Sequence, residues 1–155
     1  MESLVSTEWL ANELGASDLR IVDASYHLPA AGRDAQAEYQ GGHIPGAVFM
    51  DLADLVDTNA PVDNTLPPAE KFASRMQSLG LGDGSRIVVY DDSAVKSAAR
   101  AWFMAAVQLA RRWSASSRGR VLAAPALLPV IPIPSSASIA RSKLAGGSVH
   151  QRRPQ

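Results

Sequence analysis

The chain has 155 residues, of which 46% are hydrophobic and 19% are charged, and it contains no cysteine. This length and composition predict one globular domain with a core of its own. The missing cysteines exclude disulfides, thiolate metal sites and a cysteine nucleophile. No apolar run approaches the roughly 20 residues of a membrane span, and the N-terminal stretch MESLVSTEWL lacks the basic-then-apolar pattern of a secretory signal. A cytoplasmic protein without a membrane partner is therefore expected.

The net charge of zero conceals a division along the chain. All 15 acidic residues lie in 1–92 together with five basic ones, whereas 93–155 holds ten Lys and Arg residues and no acid. The basic segment is either an arm for nucleic acid or sequence that was never selected to fold with the rest. It holds only one tryptophan beyond residue 107 and no alternating aromatic residues, so no specific nucleic-acid partner is predicted.

The predicted elements alternate between helices and strands. In chain order they are a short helix capped by Ser6 or Thr7 and ended by Gly15, strands at Leu19–Ser25 and Ala47–Asp51, a helix opened by Pro67 and Pro68 and ended by Gly80, a strand at Ile87–Tyr90, and a helix from about Lys96 to Ala110. Such alternation implies parallel strand pairing and an α/β sandwich.

The regular pattern stops after about Val107. Four prolines between Pro125 and Pro134 exclude a helix there and disfavour any strand. We therefore expect a folded domain over 1–106 and a low-complexity basic tail over 107–155, disordered or loosely packed.

The segment RIVVYDDSAVKSAARAW, at 86–102, predicts a buried strand, a short loop and a helix. Free N–H groups at a helix N-terminus favour negative charge, so this arrangement suits an anion or a nucleophile. Here the first loop position is itself an acid, Asp91.

A second informative stretch is GRDAQAEYQGGHIPGAVFMDL, at 32–52. Pro45 and Gly46 predict a turn, His43 comes just before it, and Tyr39 lies four residues earlier. A histidine in such a position is more often a hydrogen-bonded structural residue than a catalytic one.

These residues, with Ile44 and Ala47, resemble the first signature of the rhodanese family: an aromatic residue, three variable positions, then His-Ile-Pro-Gly-Ala. The segments LPPAEKFASRMQSLGLGDGSRIVVYDD and SAARAWFM follow in the order of the blocks in the N-terminal domain of two-domain sulfurtransferases of the thiosulfate/3-mercaptopyruvate type. The resemblance covers about residues 3–106.

The resemblance implies a rhodanese-like three-layer α/β sandwich with a parallel sheet, and persulfide chemistry that needs no cofactor or metal. In the tandem enzymes only the C-terminal domain has the catalytic cysteine, and an acid replaces it in the N-terminal domain. Asp91 stands at that position, so this loop is the inactive copy, and Arg100 is expected to make a buried polar link near the domain interface. The resemblance also implies structural or interface roles for Tyr39, Pro45 and Gly46.

The same resemblance suggests a supporting role for His43. Some mercaptopyruvate sulfurtransferases are thought to place this histidine, with a nearby acid, at the cleft facing the catalytic loop of the second domain. Asp34 is the candidate for that acid, since a histidine beside a carboxylate can serve as a base.

The chain departs from the family after the last predicted helix. The expected final strand, which we place between the first strand and the Ile87–Tyr90 strand, is missing or replaced by an irregular tail, and two strands would then lack a partner. Reading WSASSRG, at 113–119, two nucleotides later permits Val-Gly-Val-Leu-Glu-Gly, which resembles the missing strand and turn. We therefore expect a frameshifted, truncated sulfurtransferase.

The predicted function is transfer of sulfane sulfur from 3-mercaptopyruvate or thiosulfate to an acceptor such as cyanide or a thiol. Donor and acceptor would bind only in the full-length enzyme, which includes the missing C-terminal rhodanese domain, and this chain alone would be inactive. The alternative is a cysteine-free rhodanese-like module that binds or regulates a protein partner. The acidic loop with Asp51, Asp54, Asp57 and Asp63 lacks the glycine and glutamate spacing of a calcium loop, so no metal is predicted.

Overall fold

The computed structural model describes residues 4–82, 85–115 and 131–132. In chain order the elements are α1 (Thr7–Glu13), β1 (Leu19–Asp23), a 3₁₀ turn (Pro29–Ala31), α2 (Ala35–Gly41), β2 (Ala47–Phe49), α3 (Ala69–Ser78), β3 (Arg86–Asp91), α4 (Ser97–Ala115) and β4 (Ile131–Pro132).

The strands form one parallel sheet in the order β2-β1-β3-β4. In the register of the sheet, Val22 of β1 lies beside Val48 of β2 and Val89 of β3. Parallel strands need crossover connections such as these helices, and the strand pairs are parallel, so the predicted α/β class with a parallel sheet is confirmed.

Successive residues along each of the strands β1 and β3 point to opposite faces of the sheet, and helices cover both faces. Val22 and Val89 pack with α3 and α4, whereas Ile21 and Val88 pack with α1. Alternate side chains of a strand project to opposite sides, so strands covered on both faces read as continuous apolar runs. The described residues therefore have the three layers of an α/β sandwich.

The position expected for the final strand is wrong. β1 and β3 pair directly with each other, from Leu19 beside Arg86 to Asp23 beside Tyr90, and no strand lies between them. Direct pairing satisfies the facing backbone groups of two strands whose residues are buried on both faces. The two residues of β4 lie on the other side of β3, where Ile131 pairs with Tyr90 and Pro132 with Asp91.

Two helices differ from the expected boundaries. α4 continues to Ala115, five residues past the predicted end, because no glycine or proline interrupts 97–115. α2 was not predicted, although Asp34 caps its N-terminus by accepting a hydrogen bond from the backbone N–H of Ala37 (3.0 Å). The remainder of the predicted tail, apart from 107–115 and β4, lies outside the described residues.

The caps and turns of the other elements agree with the predictions. The Ser6 side chain accepts a hydrogen bond from the Trp9 N–H (3.1 Å) at the start of α1, and α3 follows Pro68 directly. Among the helices in the described ranges, none is long and apolar enough to cross a membrane.

Candidate functional site at the carboxyl edge of the sheet

The loops that follow β1 and β3 lie side by side, because the carboxyl ends of parallel strands meet at one edge of the sheet. Several hydrogen bonds join them, one of them from the Tyr26 N–H to Ser97 Oγ (3.1 Å). The Ala24 N–H donates to the Tyr90 carbonyl (2.9 Å), the Asp92 N–H donates to Ser25 Oγ (2.9 Å), and the Ser97 hydroxyl lies 2.7 Å from the Ala24 carbonyl. The edge is therefore a single hydrogen-bonded unit, and Asp91 lies at its centre.

Asp91 is buried, with 2% of its surface exposed. Its Oδ2 atom lies 2.6 Å from Ser93 Oγ, 3.1 Å from Ser97 Oγ and 3.2 Å from the backbone nitrogen of Ala98 in the first turn of α4. Its Oδ1 atom is also buried and has no hydrogen-bond partner in the described part of the chain. The carboxylate is thus held at one oxygen, at the N-terminus of a helix.

The hydroxyls of Ser93 and Ser97 complete the loop. Ser93 Oγ accepts a hydrogen bond from the Ser97 N–H (3.0 Å), so it caps α4, and it lies 2.8 Å from Ser97 Oγ. Each hydroxyl carries one proton, and the shortest contact of Ser97 Oγ is to the Ala24 carbonyl. The donors left for Asp91 Oδ2 are then the Ser93 hydroxyl and the Ala98 N–H.

An ion-pair network covers the outer side of this edge. The Arg33 guanidinium donates to both oxygens of Glu38 (2.8 and 2.6 Å) and to Asp92 Oδ2 (3.1 Å), and the nearly buried His27 side chain lies 3.0 Å from Glu38 Oε2. Hydrogen bonds from Arg33, with a smaller contribution from His27, hold the pKa of the Glu38 carboxyl below its usual value. Hydrogen bonds to Glu38 and to Asp92 raise the pKa of the Arg33 guanidinium.

Sequence reasoning missed this network. Arg33 and Asp92 are 59 positions apart, and nothing in a single sequence pairs them. The only local signal is the five-residue separation of Arg33 and Glu38 across the start of α2.

His43 lies on the surface, beside the turn that precedes β2. Its Nδ1 atom is 2.8 Å from the Tyr39 carbonyl, and its ring stacks on that of Tyr39 with centroids 4.0 Å apart. A carbonyl only accepts, so Nδ1 carries the proton in this contact and Nε2 of the neutral ring is left as an acceptor. The Tyr39 hydroxyl donates to the Ala47 carbonyl (2.7 Å), which fixes the tyrosine against β2.

The structure does not join the two supporting candidates. Asp34 and His43 flank opposite ends of α2, a helix of seven residues and about 10 Å in length. Within the described residues no hydrogen bond links them, and the Asp34 carboxylate is used as the α2 cap. Between His43 and β2, Gly46 adopts a left-handed φ of 78°, as the predicted Pro45–Gly46 turn requires.

Arg100 projects from α4 to the acidic loop. It is partly exposed and donates to the Asn64 carbonyl (2.6 Å), so its contact joins α4 to the segment between β2 and α3. Asn64 itself has a left-handed φ of 58°.

The described residues at this edge offer hydrogen bonds, hydroxyls and charge, and they include no thiol. A carboxylate cannot accept a sulfane sulfur, and burial, with the nearby Asp23 carboxylate, raises the pKa of Tyr90, which keeps the phenol neutral. The described ranges contain no cluster of three or more His, Asp or Glu side chains able to hold a metal ion.

Comparison with known proteins relates this fold to sulfur transfer. A family model described as a rhodanese-like domain matches residues 6–119. The 3-mercaptopyruvate sulfurtransferase of Homo sapiens is 43% identical over 108 residues, which are 66% of this chain and 36% of that protein. The enzyme of the same name from Escherichia coli (strain K12) is 40% identical over 101 residues, 64% of this chain and 36% of that protein.

A solved structure agrees with these relatives. The crystal structure of SseA from Escherichia coli, described as a 3-mercaptopyruvate sulfotransferase with the rhodanese fold, superposes with a TM-score of 0.62 at 38% identity. The match covers 67% of this chain and 40% of SseA. The chain thus spans little more than a third of the length of the curated relatives that it matches.

Proposed function

Because the chain belongs to the rhodanese-like domain family, we propose that it is the non-catalytic N-terminal domain of a sulfurtransferase. The complete enzyme would move sulfane sulfur from 3-mercaptopyruvate or thiosulfate to a thiophilic acceptor such as cyanide or a thiol. The observation that carries the proposal is Asp91, a buried acid at the end of β3 where a catalytic rhodanese loop has its cysteine. This chain would have no sulfur-transfer activity alone and would be located in the cytoplasm.

The limited coverage of the relatives supports this assignment. The human and Escherichia coli relatives are named 3-mercaptopyruvate sulfurtransferases, and this chain matches 36% of each. The nucleophile would come from a C-terminal rhodanese domain, and both small-molecule substrates would bind there.

The carboxyl edge is the surface that we assign to the interface with that second domain. Leu28 and Val95 are large apolar side chains that are 52% and 46% exposed on the loops after β1 and β3. Apolar side chains next to the Arg33–Asp92 ion pair suit a partly polar domain contact. His43, with Nε2 available, is our candidate base toward the second domain, and Asp34 is the carboxylate proposed to assist it, while Arg100 supports the loop that precedes α3.

The test is a chimera in which this chain replaces the N-terminal domain of the Escherichia coli 3-mercaptopyruvate sulfurtransferase. Thiocyanate formation from cyanide is measured with each donor for this chain, for the catalytic half of that enzyme, and for the two joined. We expect no activity from this chain and more from the chimera than from the catalytic half. His43→Ala in the chimera should lower kcat by roughly 100-fold if the base role holds.

The alternative is a cysteine-free module that binds a protein partner, and the absence of a nucleophile is compatible with it. A chimera no more active than the catalytic half would contradict the domain assignment. Thiocyanate formation by this chain alone would contradict both candidates, since neither supplies a group that can carry the sulfur.

A further inference from the structure

At the N-terminus of α4, one backbone N–H and one nearby hydroxyl are directed at the carboxylate of Asp91. The Ala98 N–H, in the first turn, points at Asp91 Oδ2, and the Ser93 hydroxyl lies 2.6 Å from the same atom. α4 has 19 residues, so the partial positive charge of its N-terminus is fully developed. Unpaired N–H groups of this kind bind free carboxylate and phosphate groups in many proteins.

The second oxygen of Asp91 shows that the carboxylate fits this site only in part. Oδ1 is buried in a residue that is 2% exposed, and no donor reaches it in the described part of the chain. A buried acceptor without a donor is unfavourable, so the hydrogen bonds to Oδ2 must hold Asp91 in place. The neighbouring Asp92 differs, since it is exposed and pairs with Arg33.

We propose that the loop from Asp91 to Ala98 is a small-oxyanion site that the chain fills with its own Asp91 side chain. The loop is therefore closed to external anions in the native protein. Removing the side-chain carboxylate, while keeping the backbone, leaves a site that accepts a carboxylate of the same size. This inference concerns the loop alone and does not depend on the proposed sulfur-transfer function.

Formate is the probe, because alanine plus formate restores the atoms that Asp91→Ala removes. Thermal unfolding of the full chain is followed in sodium formate and in sodium chloride of equal ionic strength. We expect Asp91→Ala to lower Tm by roughly 5 °C or more in chloride, and formate to restore at least half of that loss in a saturable way. The native chain should show no difference between the two salts.

Asp92→Ala is the matched control, since it removes the adjacent carboxylate, which lies on the surface. Its Tm should be the same in formate and in chloride. Adding Ser93→Ala to Asp91→Ala should weaken the apparent formate affinity about fivefold, as the loss of one hydrogen-bond donor predicts.

Several results would overturn the proposal. They are equal Tm values for Asp91→Ala in formate and chloride, a formate effect of the same size in Asp92→Ala, or formate stabilisation of the native chain. If Asp91→Ala does not fold in either salt, Asp91→Asn decides, because it keeps the shape and replaces the carboxylate by a neutral amide. We expect Asp91→Asn to be less stable than the native chain, and equal stability would contradict an anion site.

Discussion

At the scale of single residues, Asp91 and Asp92 differ completely in their surroundings. Asp91 points into the sandwich and contacts the start of α4, whereas Asp92 points outward to Arg33. The pleat of β3 sends successive side chains to opposite sides, and this alternation continues into the loop. The two neighbouring carboxylates therefore contact different parts of the molecule.

The Arg33–Glu38 pair leads to a pH-dependent prediction. The pKa of Glu38 in the folded chain is lowered from an ordinary value of 4.5, chiefly by hydrogen bonds from Arg33. A lowered carboxyl pKa stabilises the fold above the unfolded pKa, and that stabilisation is lost as the pH falls through the folded value. We therefore expect Glu38→Gln to lower Tm by a few degrees at pH 7, and the difference from the native chain to shrink below about pH 4.5.

Glu70→Gln serves as the control for that titration. Glu70 is exposed in the first turn of α3 and forms no ion pair within the described residues. At pH 7, the Tm of Glu70→Gln should differ from that of the native chain by less than the Tm of Glu38→Gln does. A Glu38→Gln difference that grows as the pH falls would contradict the assigned sign.

At the scale of elements, α4 is the helix that joins the sheet to the rest of the domain. Ala98, Ala101, Met104 and Gln108 recur at helical spacing and are buried, and Gln108 Nε2 donates to the Pro67 carbonyl before α3 (3.0 Å). The Arg100–Asn64 hydrogen bond adds a second link to the same connection. The position of α4 therefore depends on contacts with both β3 and the segment that precedes α3.

Two adjacent residues of α4 test this packing. Met104 is fully buried in the core between the sheet and α3, whereas Phe103 is 51% exposed. We expect Met104→Ala to lower the free energy of unfolding by about 2–5 kcal/mol, because it removes buried methylene groups and leaves a cavity. Phe103→Ala should cost well under half as much, as measured by urea denaturation. Equal losses would show that α4 is rotated relative to the structure described.

At the scale of the whole molecule, the charge division along the chain needs an explanation. The segment 1–92 holds every acid, whereas 93–155 is basic throughout. Several of the acids form ion pairs in the described residues, as Glu13 and Asp18 do with Arg86. Acidic residues of the first segment thus stabilise contacts within the fold, whereas the composition of the basic segment is consistent with a shifted reading frame.

Resequencing of the coding DNA across the codons for Met104 to Arg120 tests that hypothesis. We expect a frame displaced by two nucleotides to encode a strand, a Gly-Gly turn and then a domain that contains a cysteine. An intact frame shared by close relatives would contradict the frameshift and would favour the protein-binding module.

Local patterns in the sequence were sufficient for much of this molecule. The caps at Ser6 and Pro68, the apolar runs of β1 and β3 and the Pro45–Gly46 turn each depend on a few adjacent residues, so they were predicted correctly. The His43 motif also identified the family, because it combines several residues at fixed spacing. Helix α2 was missed because none of its residues is buried, so it carries no apolar stripe to recognise.

Residue identity and short-range order were sufficient to predict the α/β class and the family. The direct pairing of β1 with β3 and the contact of Arg33 with Asp92 were seen only in the three-dimensional structure. The reason is physical. Strand neighbours and ion pairs between residues 59 or more positions apart depend on how the chain packs in three dimensions, and no local pattern encodes that packing.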